Sequence, residues 1–593
     1  MNVLNRREFI ALSSQTLAGA GLLPLSCTTN LFGRDYVAHN KGTCWLDVSA
    51  PFIFYDAKNG IHCDLVLTSD NFIGKSGYSD GLDATDYEVY LFRSDGSPMG
   101  ENGVAAKLTV PAMQTKVIPI SELIGAEKRF VGGLKVRLRP KARESIHAGN
   151  LFASAFVRWR TIGSFDNVHA NPDPLEWHVS NTFFYSMPFP PQTDYDSIFG
   201  LFNPYNSTSR GRLTIYDPYG TAVNELPYEL TKFSSCYYEL ASGKWVDPES
   251  NFFSRRGQAD RRVASNGGSV AVVNDEGSVK NFGYLLIKGR KRDSFSVDHP
   301  IHQSPYKPQP SEKPIDEKGR LRAKNILYTP LAFRSKSIGG ITLNTRFHFS
   351  SGAPIEEHLW MSPFITNSGG EVAWAMFGES DLPNSFSSKH IGDNAIRLGA
   401  YQSSILDSAS LKLPNDFAGA LSLAVRSLAN HTLMKVEVTV PEWNAHAFTH
   451  FRPGIAAARA YQRPAQRGGI VTDYIASGAR LERNGKKLIR DEIIAIMNID
   501  DKGVVGHPTI EIFSSIGLEV SVPLAQVEPM GCAHFLLSEL CSISSNADLS
   551  LRLMDDRAAL LMSVVHIDYL RRDIALDHGS DRFSTFQEFD CDV

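Results

Sequence analysis

Short runs in which apolar and polar residues alternate, punctuated by glycine, proline, asparagine and aspartate, occupy most of this chain. That is the period of a half-buried β-strand. His62–Ser69, Asp86–Arg93, Lys107–Val110, Leu134–Leu138 and Leu151–Trp159 are predicted strands, rich in Val, Leu, Tyr and Phe. No long window carries the helical period. Ser121–Glu127 and Asp556–Leu560 are predicted only as single helical turns.

The runs recur in one order. Near residue 200 the chain reads Ser197–Asn203 (SIFGLFN), a polar loop, Gly211–Tyr216 (GRLTIY), a turn at Asp217–Gly220 and a closing run Cys236–Leu240. Ile493–Asn498 (IIAIMN), Thr509–Phe513 (TIEIF), the turn Ser514–Gly517 and His534–Leu540 repeat that order. The first copy has Leu65–Thr68, Tyr87–Arg93, a turn at Ser94–Gly96 and Val117–Leu123. A weaker copy has Pro363–Asn367, Glu371–Phe377 and Leu421–Ser427. The first and last copies both close on Ser-Glu-Leu, at Ser121–Leu123 and Ser538–Leu540.

Strands joined by polar loops and glycine turns, with no helical crossovers between them, pair antiparallel. Such a sheet buries its apolar face against a second sheet. The expected fold is therefore all-β, a tandem array of about four antiparallel β-sandwiches, immunoglobulin-like or jelly-roll-like. The expected divisions are 1–30 as an export signal, sandwiches at 35–170, 171–298, 326–455 and 456–593, and a linker at 299–325. Ala170–Pro174 separates the first two copies, and the linker holds five prolines among charges. A linker of that kind would let the two halves reorient. A softer break falls at Phe451–Arg467.

Composition narrows the function classes. Lys and Arg total 60 and Asp and Glu 64, a net charge of −4, and no dense basic stripe appears. Nucleic acid is thus a poor partner. After the N-terminal segment no apolar run reaches the roughly 18–20 residues of a membrane-spanning helix. Of the cysteines, Cys44 with Cys63 and Cys532 with Cys541 are the plausible local disulfides, with buried free thiols as the alternative. No C-x-x-C occurs, so iron–sulfur, structural zinc–thiolate and thioredoxin-like sites lose support.

The N-terminus carries an address. Arg6 and Arg7 precede Glu8-Phe9-Ile10 and a weakly apolar run from Ala11 to Leu25. This stretch resembles a bacterial twin-arginine export signal, which implies export after folding and a periplasmic or cell-envelope location. Leu22–Cys27 resembles a lipoprotein box, though Pro24 stands where that motif takes an aliphatic residue. Cys27 would then carry lipid and tie a globular body to the membrane. Plain cleavage near Ser26 to Asn30 is the alternative.

Candidate chemistry is sparse. Gly77-Tyr78-Ser79-Asp80-Gly81 matches a nucleophile elbow by letter, but a strand follows where the elbow needs a helix. His446 and His450 follow a strand rather than lying on a helix and read as core or surface histidines. The C-terminal run VVHIDYLRRDIALDHGSDRF brings together His566, Asp568, Asp577, His578 and Asp581, ligand types for zinc, manganese or iron. Ion pairing with Arg571, Arg572 and Arg582 is the competing use of those carboxylates. Tyr205 and Tyr219 lie in predicted loops of the aromatic-rich second copy, where a ring could stack on a sugar or anchor a protein. The expectation is an exported, non-enzymatic binding or scaffold component with no obligatory cofactor, taking a protein or glycan partner. The alternatives are a metal-dependent hydrolase using the C-terminal Asp/His loop, or an accessory subunit of an exported complex.

Overall fold

The computed structural model describes residues 46–581 apart from internal stretches, the longer ones being 70–83, 141–152, 173–183, 248–265, 304–325, 352–358, 377–395, 427–432, 454–469 and 542–546. The expected export signal with Arg6 and Arg7, Cys27 and Cys44, the G-x-S-x-G match and most of the proline-rich linker lie outside the described residues.

The fold is all-β, and its antiparallel sheets repeat one topology four times. In module 1 the strands Val104–Val110, Thr85–Arg93, Arg129–Pro140, Leu46–Asp56 and Asn171–Pro172 form one sheet, ordered fourth-third-sixth-first-ninth. Gln114–Pro119, His62–Ser69, Ala153–Arg160 and Phe165–His169 form the facing sheet, ordered fifth-second-seventh-eighth. Modules 2, 3 and 4 start at Phe184, Ile326 and Thr472 and keep both orders. Module 2 adds a strand at Lys244–Val246, and module 3 adds Lys336–Ile338 and Ile396–Leu398. In module 4 the first and second strands also pair as a hairpin, joining its two sheets.

The shared Ser-Glu-Leu motif has a structural counterpart. Ile120–Leu123 and Leu537–Leu540 are one-turn helices at the same place, directly after the fifth strand. No helix forms at Asp556–Leu560, where a bend after the strand Ala547–Asp555 leads straight into the strand Leu560–Asp568. Asn203 and Asn498 also match: each closes the second strand and donates its side-chain amide to the carbonyls of the following loops, Leu230 and Thr231 in one case, Val504 and Val527 in the other. Four described cysteines, Cys63, Cys236, Cys532 and Cys541, are free thiols. The expected Cys532–Cys541 disulfide is therefore absent. Cys541 ends the one-turn helix and its thiol meets the Leu537 carbonyl at 3.5 Å instead.

The modules meet head to tail in a closed ring. The third-to-fourth-strand turn of one module packs on the segment before the fifth strand of the next. Gly96, Gly220 and Gly370 sit in these turns with φ of +87°, +81° and +79°. A Cβ there would lie 2.4, 2.2 and 2.2 Å from the carbonyl oxygens of Lys232, Ala400 and Pro529. Each of those residues stands three positions before a fifth strand, at Ser235, Ser403 and Cys532. Glycine is required twice over, by the left-handed backbone and by the close approach. Module 4 closes on module 1 through hydroxyls: Thr68 Oγ1 lies 2.7 Å from Ser477 Oγ and 2.9 Å from Ser550 Oγ, and Thr115 Oγ1 lies 2.6 Å from Ser550 Oγ. Its own turn, at Gly517, has nothing within 4 Å.

Aromatic packing fills the other junctions. Phe52 and Tyr237 meet at 5.4 Å between modules 1 and 2, and Tyr216 stacks on Tyr401 at 3.9 Å between modules 2 and 3. Trp443 meets Tyr569 edge-on between modules 3 and 4. The apolar cores run through these junctions: Ile198, Tyr237 and Leu286 belong with the core of module 1, and Phe448 of module 3 with that of module 2. Each buried aromatic contributes roughly 1.5–3 kcal/mol. A junction sharing several of them holds its modules in fixed relation, so the halves joined by 304–325 are docked rather than free to reorient.

Candidate metal centre

The eighth strands, Phe165–His169, Phe295–Asp298, Ala445–His450 and Asp573–Asp577, come together at the middle of the ring. Their starts are tied first. The Phe165 N–H donates to Asp573 Oδ2 at 3.2 Å, Ser294 Oγ donates to Asp573 Oδ1 at 2.8 Å, and the Phe295 N–H donates to Ser164 Oγ at 3.0 Å. The Phe448 N–H donates to Ser296 Oγ at 3.0 Å. Arg292 of module 2 closes this end. Its guanidinium donates to the carbonyls of Gly163 in module 1 at 3.1 Å and Trp443 in module 3 at 2.8 Å, and to those of Arg571 and Arg572 in module 4.

At the opposite end the registers bring histidines to one level. Asp64, Ile198, Arg346 and Ile493 are equivalent in the second strands; each pairs with the last residue of a fifth strand. Their seventh-strand partners are Arg158, Leu286, Glu437 and Val565. The eighth-strand partners of these are Asn167, Val297, Phe448 and Leu576. Two residues beyond each stands a histidine: His169, His299, His450 and His578. The side chain of His169 lies outside the described residues.

His299, His450 and His578 are 5%, 7% and 3% exposed, and one ring nitrogen of each lies within 4.8 Å of those of the other two. Their ring centroids are 4.3 Å apart for His299–His450, 4.1 Å for His450–His578 and 5.9 Å for His299–His578. His450 Nδ1 hydrogen-bonds Asp298 Oδ1 at 2.9 Å. That partner commits Nδ1 and presents Nε2 on the other side of the ring. Lys435 donates to the second oxygen of Asp298. Burial works to raise the Asp298 carboxyl, but Lys435 and His450 overcome it and hold the pKa down at about 2. The carboxylate is ionised, as an orienting partner of a ligating histidine should be.

The expected C-terminal cluster is divided by this arrangement. His578 joins the trio. His566, on Leu560–Asp568, instead lies 2.6 Å from Glu492 Oε2 on the neighbouring strand, and Glu492 raises its pKa against the lowering effect of burial. Asp568 is held by Arg490 at 2.9 Å and Arg571 at 2.7 Å. Asp577 is buried beside His578. Asp581 is on the ninth strand, its backbone paired with Tyr474, and its side chain lies outside the described residues. Tyr205 is only 5% exposed and offers no free face, whereas Tyr219 is 72% exposed at the turn of module 2. The loop around Tyr205 folds inward because Asn203 Oδ1 accepts from its N–H at 3.1 Å.

Sequence reasoning missed His299, which falls where the linker was expected, and read His450 as a core histidine. The signal was present at the ends of the copies, in Asn167-Val168-His169, Val297-Asp298-His299, Phe448-Thr449-His450 and Leu576-Asp577-His578. A second buried polar group lies between modules 2 and 3. Glu437 accepts from Tyr195, lies 2.9 Å from His348 Nε2 and 3.6 Å from Arg346, and is held below the usual carboxylate range against the effect of burial. His446 packs on Tyr195 at 4.7 Å, and burial lowers its pKa to about 4. Among the described residues no helix is long and apolar enough to cross a membrane. No protein-family model matches the chain, and no curated protein is significantly similar to it.

Proposed function

We propose that this chain is an exported, non-enzymatic scaffold: four sandwich modules closed into one body that presents outer turns to a protein or glycan in the cell envelope. The observation that carries the reading is where the reactive side chains go. Among the described residues the convergent acids, bases and histidines are spent on tying strands together, within modules as Arg552 to Asp473 and Glu511, or between them as Asp573 to Ser294, Arg292 to three modules and Glu437 to Tyr195. A hydrolytic site needs comparable groups facing a cleft that substrate can enter. The outer surface, by contrast, keeps Tyr219, Ile516 and Leu518 exposed on third-to-fourth-strand turns of modules 2 and 4. Exposed apolar side chains on rigid turns suit partner capture.

The resemblance of the Arg6-Arg7 stretch to an export signal supports the envelope location, and lipidation of Cys27, with plain cleavage as its alternative, would supply attachment. The test is a pull-down from the native envelope with the wild-type chain and with a Tyr219→Ala, Ile516→Ser double variant. A discrete partner or glycan retained by the first and lost by the second supports the scaffold. Hydrolytic turnover by the purified chain, with no partner recovered, would overturn it.

A further inference from the structure

We propose that His299, His450 and His578 bind one divalent transition metal ion of the zinc class, a staple that joins modules 2, 3 and 4 at the centre of the ring. Three observations converge on it. The donors come from three modules far apart in sequence, yet their ring nitrogens fall within 4.8 Å of one another. Zinc–imidazole bonds of about 2.0–2.1 Å in a tetrahedral shell put ligand nitrogens about 3.4 Å apart. The shortfall is on the order of 1 Å, within reach of side-chain torsions without backbone movement. The strand ends that carry the imidazoles are fixed by the seventh-to-eighth-strand ladders, so the donors are already gathered.

The second observation is Asp298. Its carboxylate takes the Nδ1 side of His450 at 2.9 Å and is anchored by Lys435. A carboxylate behind a ligating histidine fixes the tautomer and raises the basicity of the remaining nitrogen. The third is burial: each ring is 7% exposed or less. An all-nitrogen donor set with no thiolate suits zinc, copper, nickel or cobalt over magnesium or calcium, and an enclosed position suits a structural ion.

The test uses the untagged full-length chain, stripped with chelator and dialysed. It is titrated with zinc chloride by calorimetry, with metal content read by mass spectrometry, and with cobalt chloride by visible absorption. The expected result is one ion per chain and the strong d–d bands of four-coordinate cobalt with imidazole ligands, together with a higher unfolding temperature in zinc. His450→Gln and His578→Gln are expected to abolish the cobalt bands with the circular dichroism of the fold retained. Asp298→Asn is expected to weaken zinc roughly 10–100-fold while leaving one ion per chain. The cobalt spectrum of the wild-type chain does not depend on any variant folding. A folded wild-type chain that takes up no stoichiometric zinc would overturn the proposal, and so would uptake that survives His450→Gln and His578→Gln together. In either case the trio is a packed set of imidazoles that holds no ion.

Discussion

Replacing Arg292 with methionine removes a side chain that touches three other modules at once, and keeps most of its aliphatic stem. Arg292 donates to the carbonyls of Gly163 and Trp443 at 3.1 and 2.8 Å and to those of Arg571 and Arg572. A hydrogen bond from a charged donor is worth roughly 1.5–3 kcal/mol when buried. Arg292 is half-buried and water can reach part of the site, so about 0.5–1 kcal/mol for each of these bonds is the better figure, some 2–4 kcal/mol together. Arg292→Lys keeps the charge but a single ammonium cannot span the fork, and is expected to recover less than half. The lysine variant also controls for relief of repulsion from Arg571 and Arg572.

The assay is thermal and guanidinium unfolding followed by tryptophan fluorescence and calorimetry, and the size of the Tm shift carries added meaning. At about 2.1 cal/mol/K per residue, a module of about 130 residues unfolding alone has an entropy near 0.3 kcal/mol/K, so a loss of about 3 kcal/mol lowers its Tm by about 10 °C. A ring of about 530 residues melting as one unit would shift by only about 3 °C for the same loss. The shared cores predict the smaller shift with a single transition. Unfolding of Arg292→Met within about 0.5 kcal/mol of wild type would refute the reasoning that this contact pins the ring.

Three further outcomes are expected. Burial raises Asp573 from 3.8 to about 7 against the opposing pull of Ser164, Ser294, Arg292 and the Phe165 N–H. Between about pH 4 and about pH 7 the native chain keeps a proton that the unfolded chain has released, so stability falls as pH rises through that window and levels off above it. Asp573→Asn is expected to flatten this slope, on the order of 4 kcal/mol over the whole window and about 3 kcal/mol of it between about pH 5 and about pH 8, when unfolding free energies from denaturant are compared at those two values; an unchanged slope would contradict the assignment. Arg552 is fully buried and bonded to Asp473 at 2.9 Å and Glu511 at 3.1 Å, so Arg552→Met strands two buried acids and is expected to cost about 3–5 kcal/mol in chemical denaturation. On the proposed zinc site, His299→Gln is expected to lower zinc affinity at least about tenfold in calorimetric titration.

The fold was legible because strands and their turns are local. The copies around Ile198–Asn203 and Ile493–Asn498 announced themselves through the same apolar run ending in asparagine, and the structure gives that asparagine the same loop-holding role in both. The Ser-Glu-Leu motif marked a true correspondence: the helical turn expected at Ser121–Glu127 forms at Ile120–Leu123, and a second forms at Leu537–Leu540, where a strand ending was expected. The centre was hidden for the opposite reason. His299, His450 and His578 meet only because four modules close a ring, and nothing in one module's period encodes its neighbour. Proline-rich surroundings disguised His299, and His446 and His450, rightly taken off a helix, read as core or surface histidines because the partners of His450 come from other modules. On Ala445–His450 both rings are buried, but in different settings. The C-terminal acids drew notice for their density, and density alone does not separate a member of the buried histidine trio such as His578 from an ion pair such as Asp568 with Arg490.

Joining four quarters in one polypeptide frees each of them to hold its own chemistry at a shared address. Arg158, Leu286, Glu437 and Val565 occupy one and the same position, a cation, two hydrocarbons and an anion. A homotetramer of identical subunits would have to repeat a single choice there, crowding four like charges or giving up charge altogether. Here Arg158 faces Asp64 and Glu437 faces His348, each matched to a partner no other quarter needs. Assembly is also independent of dilution, since every neighbour is tethered.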